Sequence, residues 1–146
     1  SKLRVPLDAK ILSEELAWNT IFITTEQASK EKIDRIEEKG AKVLVRKADE
    51  RGWVIHDDLW KMLGENGITS VLVEGGSIVH TECIKAGYVD YVNIFISPKI
   101  MGTGIDAIGD LNIRNVNSAI NVVDCVIKKI GPDFLVQGKI LYKKNI

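Results

Sequence analysis

A carboxylate, two glycines and a serine stand together in Glu74-Gly75-Gly76-Ser77, directly after the apolar run 71–73. Two successive glycines remove both Cβ atoms, so a ligand could lie against the backbone. A helix beginning behind them would offer unpaired N–H groups and the positive end of its dipole, which suits the phosphates of a dinucleotide. The full G-x-G-x-x-G fingerprint is absent, however, and a tight strand-to-helix turn that needs only positive φ is an equal alternative.

Glu74 is predicted to lie at the carboxyl end of a central strand, where open α/β sheets bind their ligands. A carboxylate in that place can accept hydrogen bonds from sugar hydroxyls. It can equally accept hydrogen bonds from the first N–H groups of the following helix. Sequence alone leaves both roles open.

The other reactive side chains carry weaker signals. His56 and His80 have no carboxylate or cysteine at a metal-ligand spacing, so both are expected to be structural or to face solvent. Cys83 and Cys125 lie far apart, which argues against a zinc site and favours a reduced, cytoplasmic setting. Lys99 could reach an anion, although most lysines in such positions are simply solvated.

The bulk composition narrows the class of protein. The 146 residues fit one domain, and 45% hydrophobic with 27% charged residues is typical of globular proteins. Lys plus Arg and Asp plus Glu both number 20. A formal charge of zero argues against nucleic acid or an anionic membrane as the main partner.

Strands and helices alternate around the glycine pair. Strands are predicted over 19–25, 42–46, 70–74 and 91–96, and helices over 28–39, 57–65 and from Gly76 to about 85, with Ser77 as the cap of the third. This alternation predicts a parallel sheet flanked by helices. Two extended runs, 121–130 and 134–142, follow as a hairpin whose Gly131-Pro132-Asp133 turn is longer than two residues, and they make the sheet mixed.

Four segments, 1–9, 70–77, 86–102 and 130–136, together resemble the reductase domain of riboflavin biosynthesis, which in bacteria is usually fused behind a deaminase. The resemblance covers essentially the whole chain as one domain, 1–146. It implies an α/β, dihydrofolate-reductase-like mixed sheet that is mostly parallel, with an antiparallel C-terminal hairpin and helices on both faces.

The resemblance also implies a reaction and a set of site residues. The reaction is the NADPH-dependent reduction of the ribosylamino group of a pyrimidine phosphate to a ribitylamino group, with hydride added to the sugar C1′. By position, Glu74 matches a substrate-contacting glutamate and Ser1 a serine that meets the cofactor. The residues that match the cofactor-phosphate turn and helix start are Gly75, Gly76, Ser77, Ile78 and Val79.

The family domain has a further N-terminal part before the position of Ser1, with its first strands and most of the arginines that hold the substrate phosphate. This chain alone is therefore expected to have weak or no activity and an exposed apolar sheet edge, with a homodimer as the expected assembly. The alternatives are a related reductase of another pterin or pyrimidine and a non-catalytic nucleotide-binding module. Whether the pyrimidine is deaminated or diamino stays open, with a slight preference for the deaminated one.

Overall fold

The computed structural model describes residues 2–54 and 56–142, without the side chains of 56–58. The expected cofactor contact of Ser1 and the role of His56 therefore lie outside the described residues. Contacts divide the chain into two compact units, Ser1–Ser70 and Val71–Ile146. Each unit is described by itself below.

The first unit has a parallel pair of strands with a helix after each. Strand β1 (Ile21–Thr25) pairs in parallel with β2 (Lys42–Arg46), with Ile21 opposite Lys42 and Thr25 opposite Arg46. Two short 3-10 helices, Lys10–Leu12 and Ala17–Asn19, precede β1 (Ile21–Thr25), α1 (Lys30–Glu37), β2 (Lys42–Arg46) and α2 (His56–Glu65). The alternation predicted from the sequence is confirmed in this half of the chain.

Local signals in the sequence set the ends of α1. The Ser29 hydroxyl accepts a hydrogen bond from the Lys32 N–H (3.3 Å), which satisfies one of the unpaired donors of the first turn. Gly40, at φ +91°, ends the helical segment in the left-handed conformation that glycine adopts without strain. Ile36 on the inner face of α1 is fully buried, and the buried core around it contains Leu3, Leu12, Ala17, Ala41 and Val43.

The second unit is a helix followed by an antiparallel sheet. Its elements are α3 (Ser77–Lys85), β3 (Tyr91–Ile96), a short 3-10 helix (Val116–Ser118), β4 (Asn121–Ile130) and β5 (Asp133–Leu141). The strand order is β3-β5-β4, with both pairings antiparallel. The α/β class and the antiparallel C-terminal hairpin are confirmed.

The prediction of a strand over 70–74 is wrong. Residues 68–76 have no regular secondary structure, and the Val71 and Leu72 side chains are 47% and 73% exposed. A β-strand is defined by backbone hydrogen bonds to a neighbouring strand, and no described strand pairs with this segment. The prediction of one mixed, mostly parallel sheet is therefore wrong for the described residues, whose strands form a two-stranded parallel sheet and a separate three-stranded antiparallel sheet.

The hairpin turn is shorter than predicted. Ile130 pairs directly with Asp133, so the turn contains only Gly131 and Pro132. Gly131 has φ +58°. Positive φ at the first position and the fixed negative φ of proline at the second correspond to a type II′ turn, which matches the twist of the two strands.

A bulge interrupts β4 opposite Gly138. Val123 pairs with Lys139 and Val126 with Gln137, so two residues, Asp124 and Cys125, lie opposite one glycine. Asp124 has φ +52°, the left-handed conformation of the first residue of a G1 bulge, although glycine usually holds that position.

The outer strand β3 has an unusually apolar sequence for an edge. It carries no charged residue, and Phe95 is 64% exposed. The opposite outer strand, β4, has the bulge together with Lys128 and Lys129, features that discourage pairing with another chain. The edge of β3 is therefore the more prone of the two to association.

The two cysteines should react with thiol reagents at different rates. Cys83 is 2% exposed, and burial, followed by the nearby Glu82 charge, raises the pKa of its thiol, whereas Cys125 is exposed. Because the thiolate is the nucleophile, we expect Cys125 to be labelled at least about tenfold faster. Maleimide labelling followed by mass spectrometry checks this, with Cys125→Ser as the control. Equal labelling rates for the two thiols in the folded protein would contradict the described burial.

Candidate functional site

The helix α3 begins directly after the glycine pair. Gly76 is the N-cap residue in an extended conformation (φ −80°, ψ 173°), and its carbonyl accepts hydrogen bonds from the N–H groups of Val79 (3.0 Å) and His80 (3.3 Å). Ser77 is thus the first helical residue. The prediction that Ser77 caps the helix is wrong, because the helix begins one residue earlier than that role requires and has no side-chain cap.

The first turn of α3 leaves polar groups available to a ligand. Within the described part of the chain, nothing accepts a hydrogen bond from the N–H groups of Gly76, Ser77 and Ile78, and nothing bonds to the Ser77 hydroxyl. A Cβ placed on Gly76 would meet no heavy atom within 4 Å, so the backbone there is open. Such a helix start fits a phosphate through its N–H groups and its dipole.

Neither glycine of the pair is there to provide positive φ. Gly75 and Gly76 both lie outside the left-handed region, which contradicts the simple-turn alternative. Gly75 has a packing reason instead: a Cβ at this position would lie 3.2 Å from the Cβ of Val79. Gly76 has no such neighbour, and its missing side chain leaves room beside the free N–H groups.

The Glu74 side chain is exposed and uncommitted. None of residues 2–54 and 56–142 forms a hydrogen bond or an ion pair with its carboxylate. The alternative in which Glu74 caps α3 is therefore contradicted. The carboxylate remains available to hydrogen-bond donors of a ligand.

Sequence reasoning missed a connection from His80 to a distant loop. The Gly75 N–H donates a hydrogen bond to His80 Nε2 (3.3 Å), and His80 Nδ1 lies 3.0 Å from the Ala107 carbonyl oxygen. Because a carbonyl can only accept, Nδ1 must carry the proton and Nε2 the lone pair. No motif in the sequence connects His80 with Ala107, so only the fold could bring them together.

The buried Thr81 makes a second connection to the same loop. Its hydroxyl accepts a hydrogen bond from the Gly109 N–H (2.7 Å) and donates one to the Ser77 carbonyl (2.6 Å). A Cβ on Gly109 would lie 3.1 Å from Thr81 Oγ1 and 3.3 Å from Ser77 Oγ. The loop thus lies directly against the first turn of α3.

An ion pair between Asp110 and Arg114 lies directly after Gly109 in the chain. Arg114 donates two hydrogen bonds to Asp110, both of 2.7 Å. These hydrogen bonds, and then one from the Asn112 N–H, hold the pKa of Asp110 well below its usual range. Both side chains are largely exposed, so the pair contributes little to the stability of the loop.

The first unit has a separate groove at the carboxyl ends of β1 and β2. Glu26, which follows β1, lines it together with Arg46, Lys47 and Lys61. Carboxyl ends of parallel strands are where α/β sheets bind ligands. Glu65 also lines the groove and lies 4.0 Å from Lys61, so the groove carries three cations and two carboxylates.

Neither a metal cluster nor a membrane-spanning helix is present in the described ranges. No three His, Cys, Asp or Glu side chains come together there as metal ligands. Likewise, no described helix combines the length and the apolar character that crossing a bilayer would need.

The sequence profile of the RibD C-terminal domain matches residues 1–136. The chain belongs to this family. It is 38% identical over 135 residues to the riboflavin biosynthesis protein RibD of Aquifex aeolicus, a match that covers 92% of this chain and 35% of that protein. It is also 40% identical over 102 residues to the 2,5-diamino-6-ribosylamino-4(3H)-pyrimidinone 5′-phosphate reductase of the same organism, covering 70% of this chain and 44% of that protein.

Solved structures have the same fold at low sequence identity. RibD of Acinetobacter baumannii superposes with a TM-score of 0.71 at 16% identity, over 95% of this chain and 35% of that one. The Saccharomyces cerevisiae riboflavin biosynthesis reductase Rib7 gives a TM-score of 0.67 at 19% identity, over 97% and 66%. The expected dihydrofolate-reductase-like fold is confirmed. This RibD-family chain spans about a third of the length of the RibD relatives it matches.

Proposed function

We propose that this RibD-family chain contributes to an NADPH-dependent reductase of riboflavin biosynthesis, which converts the ribosylamino group of a pyrimidine phosphate to a ribitylamino group. The observation that carries the proposal is the family match over residues 1–136. Because this one match spans both units, it supports treating them as parts of one domain.

The residues present fit the phosphates of a dinucleotide cofactor. In this proposal the free N–H groups of Gly76, Ser77 and Ile78 hold a phosphate, while Gly75 and Val79 shape the turn. Ser1 is proposed as a further cofactor contact. When bound, NADPH supplies the hydride.

Glu74 is proposed to bind the substrate rather than the cofactor. Its carboxylate is exposed and has no partner in the described chain, so it is free to accept hydrogen bonds from the ribosyl hydroxyls. Fixing the sugar at the reacting carbon would orient it for hydride transfer. Of the two possible substrates, we slightly favour the deaminated pyrimidine. The alternative is the diamino pyrimidine named for one Aquifex aeolicus relative.

The assembly and location follow the same proposal. We place the protein in the cytoplasm, in agreement with two free cysteines, and expect a homodimer and a deaminase domain in the same polypeptide. The exposed apolar edge of β3 supports association.

Cofactor and substrate titrations test the proposed function. We expect saturable NADPH binding by fluorescence and NADPH oxidation that requires a ribosylaminopyrimidine phosphate. A longer form that contains this chain together with an N-terminal part of the reductase serves as the positive control. Turnover with dihydrofolate instead would favour a related reductase, and absence of NADPH binding in the longer form would favour a non-catalytic module.

A further inference from the structure

The loop 107–109 and the start of α3 are joined by hydrogen bonds from both neighbours His80 and Thr81. His80 bonds to the Gly75 N–H on one side and to the Ala107 carbonyl on the other. Thr81 bonds to the Gly109 N–H. We propose that His80 is a positioning residue that holds the Glu74–Gly75 peptide in the orientation needed for binding cofactor and substrate. The inference rests on the proposed function of the glycine turn and extends it to a residue without a ligand contact.

The Gly75 N–H is the important group in this arrangement. It belongs to the peptide that joins Glu74 to the turn, so its hydrogen bond to His80 fixes the rotation of that peptide plane. The same bond removes Gly75 from the donors available to a phosphate. The cofactor is then left with the N–H groups of Gly76, Ser77 and Ile78, all of which lack an acceptor in the described chain.

The imidazole can hold this peptide because its other nitrogen is also engaged. A ring bonded only through Nε2 could rotate away, whereas the 3.0 Å contact with Ala107 fixes its orientation. The loop is itself fixed by the 2.7 Å bond from Gly109 to the buried Thr81. Gly109 lies so close to Ser77 and Thr81 that a side chain there would push the loop away.

Two substitutions at His80 separate its hydrogen bonds from its bulk. His80→Gln keeps one donor and one acceptor on a side chain of similar reach, whereas His80→Ala removes both. We expect His80→Ala to weaken NADPH binding about three- to tenfold, the range for losing one net hydrogen bond at the Gly75 N–H, and His80→Gln to stay within about twofold of the unsubstituted protein. Asn115→Ala is the matched control, because it removes the side-chain cap of the 3-10 helix Val116–Ser118, outside the loop 107–109, and should leave the affinity unchanged.

NMR spectroscopy tests the hydrogen bond between the Gly75 N–H and His80 without any cofactor. Nitrogen-15 NMR of the unsubstituted chain should show a protonated Nδ1 and an unprotonated Nε2 at His80, with scalar coupling from the Gly75 amide nitrogen to Nε2. In His80→Ala, the amides of Gly75 and Gly109 should exchange faster with solvent, and circular dichroism verifies that the variant is folded.

The outcomes separate the inference from the proposed function. Unchanged NADPH affinity in folded His80→Ala overturns the inference, as does an equal loss in His80→Gln or in Asn115→Ala. If the unsubstituted longer form binds no NADPH, the proposed function is overturned and the positioning role with it, even where NMR detects the His80 hydrogen bonds.

Discussion

Gly138→Ala is expected to destabilise the second unit strongly, by about 3 kcal/mol, the upper end of the range for overpacking a closely packed site. The added Cβ would collide with Val122 Cγ1 and would lie 3.0 Å from the Val123 carbonyl oxygen and 3.2 Å from Cys125 Sγ. One of these neighbours is backbone and cannot rotate away. Chemical denaturation in urea, followed by circular dichroism, measures the loss of free energy of unfolding.

The geometry of the bulge explains why this position tolerates no side chain. Asp124 and Cys125 together occupy the space opposite one residue of β5, so the bulged strand crowds Gly138. Gly138 itself is buried and has no positive φ, which means that space and not backbone conformation requires the glycine. About 3 kcal/mol is a large fraction of the total stability of a typical domain.

Two further variants test that explanation. Gly104→Ala should be nearly neutral, because a Cβ there would meet no atom within 4 Å and Gly104 has no positive φ. Val122→Ala removes the most severe collision, so the double variant with Gly138→Ala should recover part of the loss in a double-mutant cycle. A Gly138→Ala loss no greater than that of Gly104→Ala would contradict the close packing of the bulge.

Local sequence signals predicted most of the elements. The strands over 42–46 and 91–96 were predicted with the observed bounds, because β-branched residues are enriched in both and turn residues flank them. Helix α1 follows a capping serine and precedes Gly40, both of which act within a few residues. Such signals depend only on neighbours in the chain and are therefore readable without the fold.

Features that depend on distant neighbours were not predictable. The run 70–74 has the composition of a buried strand, yet a strand also requires a partner along at least one edge, and composition does not report whether one is present. The link from His80 to Ala107 spans 27 positions and involves a backbone carbonyl, which has no sequence signature. The bulge was missed because an aspartate holds the left-handed position where a glycine would have marked it.

The candidate site was predictable in its residue types but not in its contacts. Its residue types, a carboxylate followed by two glycines and a helix start, were evident from the sequence, and the structure removes the two alternatives that composition left open. The assignment of Gly76, Ser77 and Ile78 to the cofactor and of Glu74 to the substrate stays a prediction. It is testable because the two ligands can be titrated separately.

Glu74→Gln is expected to lower kcat/KM for the ribosylaminopyrimidine phosphate roughly ten- to hundredfold while leaving NADPH affinity nearly intact. The substitution keeps the size of the side chain but removes its charge, and a hydrogen bond to a charged group contributes about 1.5–3 kcal/mol. No described residue bonds to the carboxylate, so its removal should not disturb the turn through a lost internal contact. Steady-state kinetics in a form with reductase activity, together with NADPH titration, measures both effects.

Control measurements show whether the lower kcat/KM of Glu74→Gln results from weaker interaction with the substrate. Glu14→Gln makes the same chemical change at another exposed residue and should alter neither constant. If Glu74 acts on the sugar, its variant will lose discrimination between the ribosylated substrate and an analogue lacking the ribosyl hydroxyls, because the lost hydrogen bonds contribute only with the former. Weaker NADPH binding with an unchanged KM for the substrate would instead assign Glu74 to the cofactor.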